Sequence, residues 1–439
     1  MNTKYSGHEH KVPQKKPQSI KKHSAKKRHK NLSPLKAFLI TLAIVIGVGM
    51  TVIVAITLPK YIRLHKNEEI SFISFVEAIP ETLVSDENEI VEEVDNSKYG
   101  KVIVDAEYLK QNNIFVKEGN EEDVISLAFC GDILFDDDYA VMAALKQRGG
   151  ELSASISQET LDVMNGVDVM VVNNEFPYTQ KGARQPEKQF TFHADYDTAN
   201  YLNDMGADVA ILANNHVYDY GEEGLLDTLD TVESVGVIPV GAGRNLAEAV
   251  TPVYYIINDI KIAIIAATDI ERLDNPDTKW ATDSSAGVFR SWNSDKIFDA
   301  VATAKQNSDF VIVCVHWGTE KEETPDYWQT LLAPKIAEAG ADLIIGDHPH
   351  RLQGVYYYGN TPCIYSLGNF WFNGFSLDTG LVEVRIDKQG LQSFRFMPAV
   401  QSSYSTKLVF DSERDRILNY MRSLSPEADI SEEGYISKK

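Results

Sequence analysis

The stretch DLIIGDHPH, residues 342–350, joins a short apolar run to a turn of charged and imidazole side chains. An apolar run that ends abruptly in polar residues is typical of a strand buried in a sheet, with the polar residues at its carboxyl end. Ligands of open α/β sheets gather at that end of the strands. The stretch therefore predicts a buried sheet and a candidate binding site at its edge.

Four more motifs share this layout, because each ends an apolar, strand-like run. They are Gly131-Asp132, Asn173-Asn174-Glu175, Asn214-Asn215-His216 and His316-Trp317-Gly318. A lone histidine after an apolar strand is more often a structural residue than a ligand, but five such motifs in one chain favour a shared site. Helix-like segments alternate with the apolar runs, which predicts an α/β fold. From residue 355 to residue 397 the pattern changes to hairpin-like strands, which predict a second, antiparallel sheet layer.

Charge is distributed unevenly along the 439-residue chain. Residues 1–36 contain 11 basic residues and one acidic residue, whereas the remainder contains 31 basic and 63 acidic residues. Residues 37–58 form a run of 22 residues without charge, and a transmembrane helix needs about 20. A cleaved signal peptide has a shorter apolar core, so we expect an uncleaved anchor. The positive-inside rule then predicts a cytoplasmic N-terminus and an extracellular C-terminal domain on a single-pass protein of the cell membrane.

These changes in composition predict the domain boundaries. The segments are a basic cytoplasmic head (1–36), a transmembrane helix (37–58), an acidic stalk or linker (59–123), a main domain (124–400) and a C-terminal helix and tail (401–439). The basic head could be read as a nucleic-acid arm, but beside a membrane span a topology signal and contact with anionic lipid explain it more simply. The acidic remainder would repel phosphate backbones. We therefore expect a membrane as partner and no nucleic acid.

Together, the five motifs contain the side chains that bind divalent metal ions. The candidate ligands are the carboxylates of Asp132 and Glu175, the amide oxygen of Asn215, and the ring nitrogens of His316, His348 and His350. This set is large enough for two ions, and two ions about 3.5–4 Å apart favour in-line displacement at phosphorus. His216 remains as a candidate general acid, and Asp219 could orient it by a hydrogen bond. The alternatives are a core or helix-capping histidine and an aspartate that only favours a helix N-terminus.

With these motifs the chain resembles the CapA family of capsule poly-γ-glutamate synthesis proteins, which is related in fold to the calcineurin-like metallophosphoesterases. The resemblance spans about residues 124–400. Its main motifs are Gly131-Asp132, Asn174-Glu175, 213–221 (ANNHVYDYG), Gly241-Ala242-Gly243, His316-Trp317-Gly318, 346–350 (GDHPH) and 365–370 (YSLGNF). The resemblance implies a four-layer, metallophosphoesterase-like sandwich of two sheets flanked by helices.

The resemblance also implies roles for the candidate residues. By analogy with the metallophosphoesterases, the metal ligands are Asp132, Asn215, His316, His348 and His350. Glu175 would bridge two divalent ions of Mn, Fe or Zn, and His216 would be the catalytic acid. Tyr365 to Phe370 carries no obvious ligand, and we expect Asn369 to hold the loop beneath the site.

Two positions depart from the family patterns. Metallophosphoesterases carry a histidine two residues after the first aspartate, but Asp132 is followed by Ile133 and Leu134. CapA proteins usually read Gly-His-His-Pro-His where this chain has Asp347 as the second residue. An aspartate can bind a metal or orient a neighbouring histidine, so Asp347 could alter which metal is held without abolishing binding.

Three basic residues are candidates for contacts with an anionic substrate, with ordinary surface charges as the alternative. They are Arg184, Lys188 and Arg244.

Three functions remain open on the sequence. The first is an anchored, extracytoplasmic protein that takes part in making or exporting poly-γ-glutamate beside membrane-embedded synthase subunits. The second is a metal-dependent phosphoesterase that acts on another phosphate compound of the cell envelope. The third is a non-catalytic scaffold or polymer-binding subunit, although an acidic domain would bind an anionic polymer only through cations or a basic groove.

Overall fold

The computed structural model describes residues 97–186, 188–270, 278–292 and 295–439. The predicted basic head, the predicted transmembrane helix and most of the predicted stalk lie outside these residues. Within the described ranges, no helix combines the length and the hydrophobicity needed to cross a bilayer.

Strands and helices alternate along most of the described chain, as the sequence predicts. The strands are β1 (Ile114–Val116), β2 (Ile125–Ile133), β3 (Val169–Asn174), β4 (Ala207–Ile211), β5 (Ile238–Val240), β6 (Ala242–Gly243), β7 (Val253–Ile257), β8 (Ile260–Thr268), β9 (Gly287–Val288), β10 (Phe310–His316), β11 (Leu343–Asp347), β12 (Leu352–Tyr358), β13 (Thr361–Leu367), β14 (Asn369–Trp371), β15 (Leu377–Asp387), β16 (Gly390–Ser402), β17 (Ser405–Leu408), β18 (Ala428–Ile430) and β19 (Ile436–Lys438). The α-helices are α1 (Gly100–Ile103), α2 (Ala106–Gln111), α3 (Ala140–Gln147), α4 (Gln158–Asn165), α5 (Asn200–Asp204), α6 (Gly221–Ser234), α7 (Leu246–Val250), α8 (Lys296–Asn307), α9 (Tyr327–Ala339) and α10 (Asp411–Leu424). Short 3-10 helices occupy Leu152–Ala154 and Tyr196–Ala199.

The first large sheet has seven strands in the order β1-β7-β8-β10-β11-β13-β12. Its strands β8, β10, β11 and β13 run parallel, and β12 returns antiparallel to β13. Parallel neighbours need crossover connections, which α8 provides between β8 and β10, and α9 between β10 and β11. Both helices pack in one apolar cluster with the outer face of this sheet.

The second large sheet has the order β17-β16-β15-β2-β3-β4-β5, with β14 paired to β2 beside this path. Strands β2 to β5 run parallel, whereas β15, β16 and β17 form an antiparallel meander joined to β2. The expectation of a separate antiparallel layer after residue 355 is therefore wrong. The hairpin-like strands are divided between two mixed sheets, because β13 pairs with β11 of the first sheet and β15 pairs with β2 of the second.

The two sheets pack face to face through apolar side chains that alternate along their strands. Leu127 and Phe129 of β2 share this interior with Ile312 and Cys314 of β10, and burial of each large apolar side chain is worth about 1.5–3 kcal/mol. Helices α3, α4 and α6 cover the outer face of the second sheet. The described chain is therefore a mixed α/β sandwich, which confirms the predicted class.

Residues assigned to the linker by composition contribute to this fold where they are described. Strand β1 pairs in parallel with β7 at the edge of the first sheet. Lys98 and Tyr99 hold the segment in place: their backbone nitrogens donate to the carboxylate of Asp259, and their side chains bind Asp309. We call these four residues the N-terminal clasp. Asp259 and Asp309 directly precede β8 and β10, so the clasp lies at the amino ends of these strands.

The last 39 residues are also more structured than a helix and a frayed tail. Strand β16 continues to Ser402, β17 follows it, and the chain ends in the small β18–β19 hairpin after α10. Ile417, Leu418 and Met421 of α10 are buried in the cluster between the sheets.

Gly131 is required where β14 approaches β2. A β-carbon at this position would lie 1.8 Å from the carbonyl oxygen of Gly368. Because both partners are backbone, relief requires separating the strands, so we expect Gly131→Ala to lower the free energy of unfolding by about 3 kcal/mol or more. The control is Gly359→Ala, where φ is +64° and, apart from the chain neighbours, no atom of the described residues lies within 4 Å of an added β-carbon; its cost should be only about 1–2 kcal/mol, from backbone strain. Urea denaturation followed by circular dichroism measures both, and equal losses would contradict the clash.

Candidate metal centre

The candidate ligands extend the inward-facing rows of the two sheets. Side chains alternate along a strand, and in β10 the row Ile312, Cys314 and His316 runs through the apolar interior to its edge. In β11 the row that includes Ile345 ends on Asp347 in the same way. The carboxyl ends of β2, β3, β10 and β11 therefore bring polar side chains together over the apolar core.

One group of candidate ligands surrounds Nε2 of His316. That atom lies 2.8 Å from Oδ1 of Asn215, 3.1 Å from Nδ1 of His348 and 3.5 Å from Oε1 of Glu175. All four side chains are buried. Glu175, His316 and His348 each offer an atom within 4.8 Å of the others, a spacing at which one metal ion could be held.

A second group joins Asp132, Glu175 and His350, again with atoms within 4.8 Å of one another. Nδ1 of His350 lies 2.9 Å from Oδ2 of Asp132 and 2.7 Å from Oδ1 of Asn369. Glu175 belongs to both groups, which is the position that a bridging carboxylate requires. The six predicted ligands thus lie together, while their binding of metal stays a prediction.

The turn that carries His348 and His350 is strained. His348 has φ of +99° and His350 has φ of +56°, and such backbone conformations cost a non-glycine residue about 1–3 kcal/mol. Strain of this kind occurs where the surrounding structure holds residues in place for function. Here the turn directs both imidazole rings into the two ligand groups.

Burial sets the charge state of the cluster. It lowers the pKa of His316 to about 3 and the pKa of His348 well below the ordinary histidine value, so both rings are neutral near pH 7. Burial, with the charges of Asp132 and Asp347, raises the pKa of Glu175 well above the ordinary carboxyl value. Burial also acts to raise the pKa of Asp132, but the hydrogen bond and charge of His350 outweigh it and lower that pKa.

The donor set fits a bound cation. Both carboxylate oxygens of Glu175 and Oδ1 of Asp347 are buried and have no hydrogen-bond partner among the residues that the structure describes. Buried carboxylates without a partner are costly unless a cation compensates them. Neutral imidazoles and carboxylate oxygens are the ligands that Mn, Fe and Zn bind. The residues present therefore suit divalent metal ions.

His216 and Asp219 also lie together at this edge. Nδ1 of His216 donates to Oδ2 of Asp219 over 2.8 Å, and Nε2 of His216 lies 4.0 Å from Oε1 of Glu175. The Phe192 ring packs 4.3 Å from the His216 ring, between centroids. This geometry is the one predicted for an aspartate that orients an acid, and the catalytic role remains a prediction.

Lys188 completes this arrangement and is not an ordinary surface charge. Its side chain is 8% exposed, and Nζ donates to Oδ1 of Asp219 over 2.6 Å and to the carbonyl oxygen of Asn215. Arg184, by contrast, is exposed. Arg244 binds Asp230, Glu233 and Glu248 at the surface.

Removing the charge of Lys188 is expected to be strongly destabilising. Lys188→Met would leave the fully buried carboxylate of Asp219 without its cation, and breaking a buried pair costs about 3–5 kcal/mol. The double variant Lys188→Met/Asp219→Asn removes both charges, so it should lose less than the single variant. Chemical denaturation of the three proteins measures the difference. A double variant that is less stable than Lys188→Met would contradict the pairing.

Sequence reasoning did not assign Asn173 as a site residue. Asn173 Nδ2 donates to Oδ1 of Asp132 over 2.7 Å and lies 3.2 Å from Nδ1 of His316, so it links the two ligand groups. The signal was present, because Val169, Val171 and Asn173 form one inward-facing row of β3. Asn369 reaches the site through the pairing of β14 with β2, which the sequence does not predict.

Metallophosphoesterases carry a histidine two residues after the first aspartate, but the corresponding residue of this chain, Leu134, is not a candidate ligand. Leu134 is buried in the apolar cluster on the outer face of the second sheet. Among the described residues, His350 and Asn369 approach Asp132 instead.

Comparisons with known proteins cover this region. A family described as "Bacterial capsule synthesis protein PGA_cap" matches residues 126–374, which include every candidate ligand. A PGA biosynthesis protein CapA from Bacillus subtilis is 33% identical over 282 residues, 63% of this chain and 72% of that protein. A capsule biosynthesis protein CapA from Bacillus anthracis is 32% identical over 226 residues, 50% of this chain and 54% of that protein. A "probable polyglutamine synthesis accessory protein" from Mycobacterium tuberculosis is 26% identical over 208 residues, 46% of this chain and 55% of that protein.

Proposed function

The chain belongs to the bacterial capsule synthesis protein family PGA_cap, and on that premise we propose that it takes part in the synthesis or export of poly-γ-glutamate at the cell surface. The relatives from Bacillus subtilis and Bacillus anthracis are named for PGA and capsule biosynthesis, which supports this process. We extend the proposal to the working site, which we infer to be a metal centre with phosphoesterase-like chemistry on a fold related to the metallophosphoesterases.

Glu175 is the observation that carries the metal centre. It is fully buried, neither of its oxygens has a hydrogen-bond partner in the described part of the chain, and it belongs to both groups of candidate ligands. A carboxylate in that position has no structural use that would offset its burial. Bound divalent ions would supply the positive charge that compensates this carboxylate.

Residues of the chain would then hold the two sides of the metal centre in position. The chemistry that divalent ions supply in such centres is positive charge near phosphoryl oxygens and a more acidic water molecule. His316 and His348, kept neutral by burial, would hold one side of the centre, and Asp132 with His350 the other. Asn173 would fix the relative positions of the two sides.

His216 would handle the proton of the leaving group. Its hydrogen bond from Nδ1 to Asp219 directs Nε2 towards Glu175 and the space beside the ligands. A carboxylate on one ring nitrogen fixes the ring and stabilises the imidazolium form, as in other acid–base histidines. Burial lowers the pKa of His216, and the charge and hydrogen bond of Asp219 act against that shift by favouring the imidazolium.

We place the described domain outside the cytoplasm, held by the apolar segment 37–58 with the basic residues 1–36 inside. The uncharged run of 22 residues and its basic flank support this topology. Membrane-embedded synthase subunits would then be neighbours. Protease treatment of intact cells that carry a C-terminal tag tests the placement: loss of the tag is expected, and a protected tag that becomes sensitive only after lysis would overturn it.

The function is tested in the host cell. Chromosomal variants Asp132→Ala and His216→Ala are compared with wild type, a gene deletion and Asp342→Asn, which alters the amino-terminal side of β11 away from the site. The measurement is cell-bound poly-γ-glutamate, with immunoblots to match protein levels. We expect both site variants to resemble the deletion.

Two other outcomes distinguish the alternatives. If the deletion lowers the polymer and both site variants restore it, the protein acts as a scaffold without metal chemistry. If the deletion leaves the polymer unchanged, a role in polymer synthesis is overturned, and phosphate esters of the envelope become the substrates to assay.

A further inference from the structure

We propose that Asp347 is a third carboxylate of the metal centre, and that it shifts the preference of this chain's centre from Zn²⁺ towards Mn²⁺. The inference rests on the metal centre proposed above. It goes beyond the family patterns, because the CapA sequences that this chain resembles usually carry histidine at this position.

The backbone fixes Asp347 beside the candidate ligands. It is the last residue of β11 and lies opposite His316 of β10 in the parallel register. The backbone nitrogen of Trp317 donates to its carbonyl oxygen over 3.1 Å. Gly346 allows this approach, because a β-carbon there would lie 2.1 Å from the carbonyl oxygen of Tyr365 and 2.4 Å from Nε1 of Trp317. The backbone of Asp347 is therefore held beside His316 by the pairing of β10 with β11.

The side chain of Asp347 lacks a partner within the described chain. The residue is 2% exposed, and its Oδ1 is buried without a hydrogen bond. The neighbouring carboxylates make the burial of this oxygen more unfavourable. Asp132 repels the negative charge of Asp347, and both repel the negative charge of Glu175. Lys188 is close to the cluster but already binds Asp219 and the carbonyl of Asn215. A structural role would require a donor for this oxygen, whereas a cation held by the neighbouring ligand groups would offset the charge of Asp347.

The third carboxylate changes the chemistry of the donor set. Carboxylate oxygens suit Mn²⁺, whereas imidazole nitrogens suit Zn²⁺. A histidine at position 347 would add a neutral nitrogen donor, while Asp347 adds negative charge and an oxygen. Groups that support metal ligands change affinity by about 10- to 100-fold when they are replaced. We therefore expect replacement of Asp347 to change the metal affinity of the centre by about 10- to 100-fold.

The experiment uses purified full-length protein, stripped of metal and titrated separately with Mn²⁺ and Zn²⁺ by calorimetry. The variants are Asp347→Asn, which keeps the shape and removes the charge, and Asp347→His, which restores the family pattern. The matched control is Asp342→Asn, which removes one charge just before β11; Asp342 binds Lys305 and the backbone nitrogen of Val311. Circular dichroism establishes that each protein is folded.

We expect Asp347→Asn to weaken Mn²⁺ binding about 10- to 100-fold, Asp347→His to lower the ratio of Mn²⁺ to Zn²⁺ affinity, and Asp342→Asn to match wild type. Wild-type affinities and an unchanged ratio in both Asp347 variants would overturn this inference and leave the metal centre standing. A wild-type protein that binds neither ion would overturn both the centre and the inference. If Asp347→Asn does not fold, the ratio measured for Asp347→His decides the question.

Discussion

Replacing His216 by glutamine is expected to lower phosphoesterase turnover of the metal-loaded protein about 100- to 10,000-fold, the range that a positioned general acid contributes. Glutamine has a similar length and keeps hydrogen-bonding capacity towards Asp219, but it cannot deliver a proton. His216 lies 4.0 Å from Glu175 yet belongs to neither group of candidate ligands. Metal content should therefore stay at the wild-type value while turnover falls.

The measurement is hydrolysis of a generic phosphomonoester and phosphodiester by full-length protein supplied with Mn, Fe or Zn, with metal content determined on the same samples. Asp132→Ala provides the contrast, because it should lose both metal and turnover. Wild-type turnover in His216→Gln would remove this residue from the mechanism. Equal loss of metal in His216→Gln and Asp132→Ala would instead make His216 a ligand.

Replacing Glu175 by glutamine is expected to have opposite effects on the two forms of the protein. In metal-free protein the substitution removes a buried, unpartnered group whose ionisation is unfavourable, and it should stabilise the fold above the ordinary carboxyl pKa by on the order of 2 kcal/mol. In excess metal, wild type gains about 4 kcal/mol at a metal concentration 1,000 times the Kd, and the variant should lose most of that gain. The melting temperatures of the two proteins should therefore change order when metal is added.

The raised pKa of Glu175 predicts how the stability of the metal-free protein depends on pH. Because burial and the charges of Asp132 and Asp347 raise the pKa of Glu175, the folded state binds this proton more tightly than the unfolded state. The contribution of Glu175 to the stability of the metal-free protein is therefore fully present below the ordinary carboxyl pKa and is lost as the pH rises through the raised value. Denaturation of metal-free wild type and Glu175→Gln between pH 4 and pH 8 should converge at the acid end. Parallel curves across this range would contradict a raised pKa of Glu175 in the folded state.

The sequence predicts the interior of the fold better than its edges. Buried strands such as β10 and β11 are continuous apolar runs, so their burial and their carboxyl ends can be read directly from residue type. Strand β1 has only three residues, of which Ile114 alone is buried, and its place in the sheet depends on pairing with β7. No local pattern specifies that pairing, and composition therefore assigned the segment to a linker.

The candidate site likewise contains some residues that the sequence predicts and others that it does not. Residues that end an inward-facing row, such as His316, follow from strand periodicity and residue chemistry. Lys188 could not be found by such reasoning, since it lies in a loop without periodicity and its burial depends on Asp219 and Asn215 from another segment. Asn173 could have been found, because it lies two residues beyond buried Val171 in the same strand.

The N-terminal clasp determines where mechanical tension would enter the domain. Lys98 and Tyr99 bind Asp259 and Asp309 at the amino ends of β8 and β10, whereas His316 lies at the carboxyl end of β10. Nine residues of β8 span about 30 Å. A pull on the chain at residue 97 would first load the clasp and the edge strand β1. The clasp would thus receive such a load at the edge of the sheet opposite the candidate ligands.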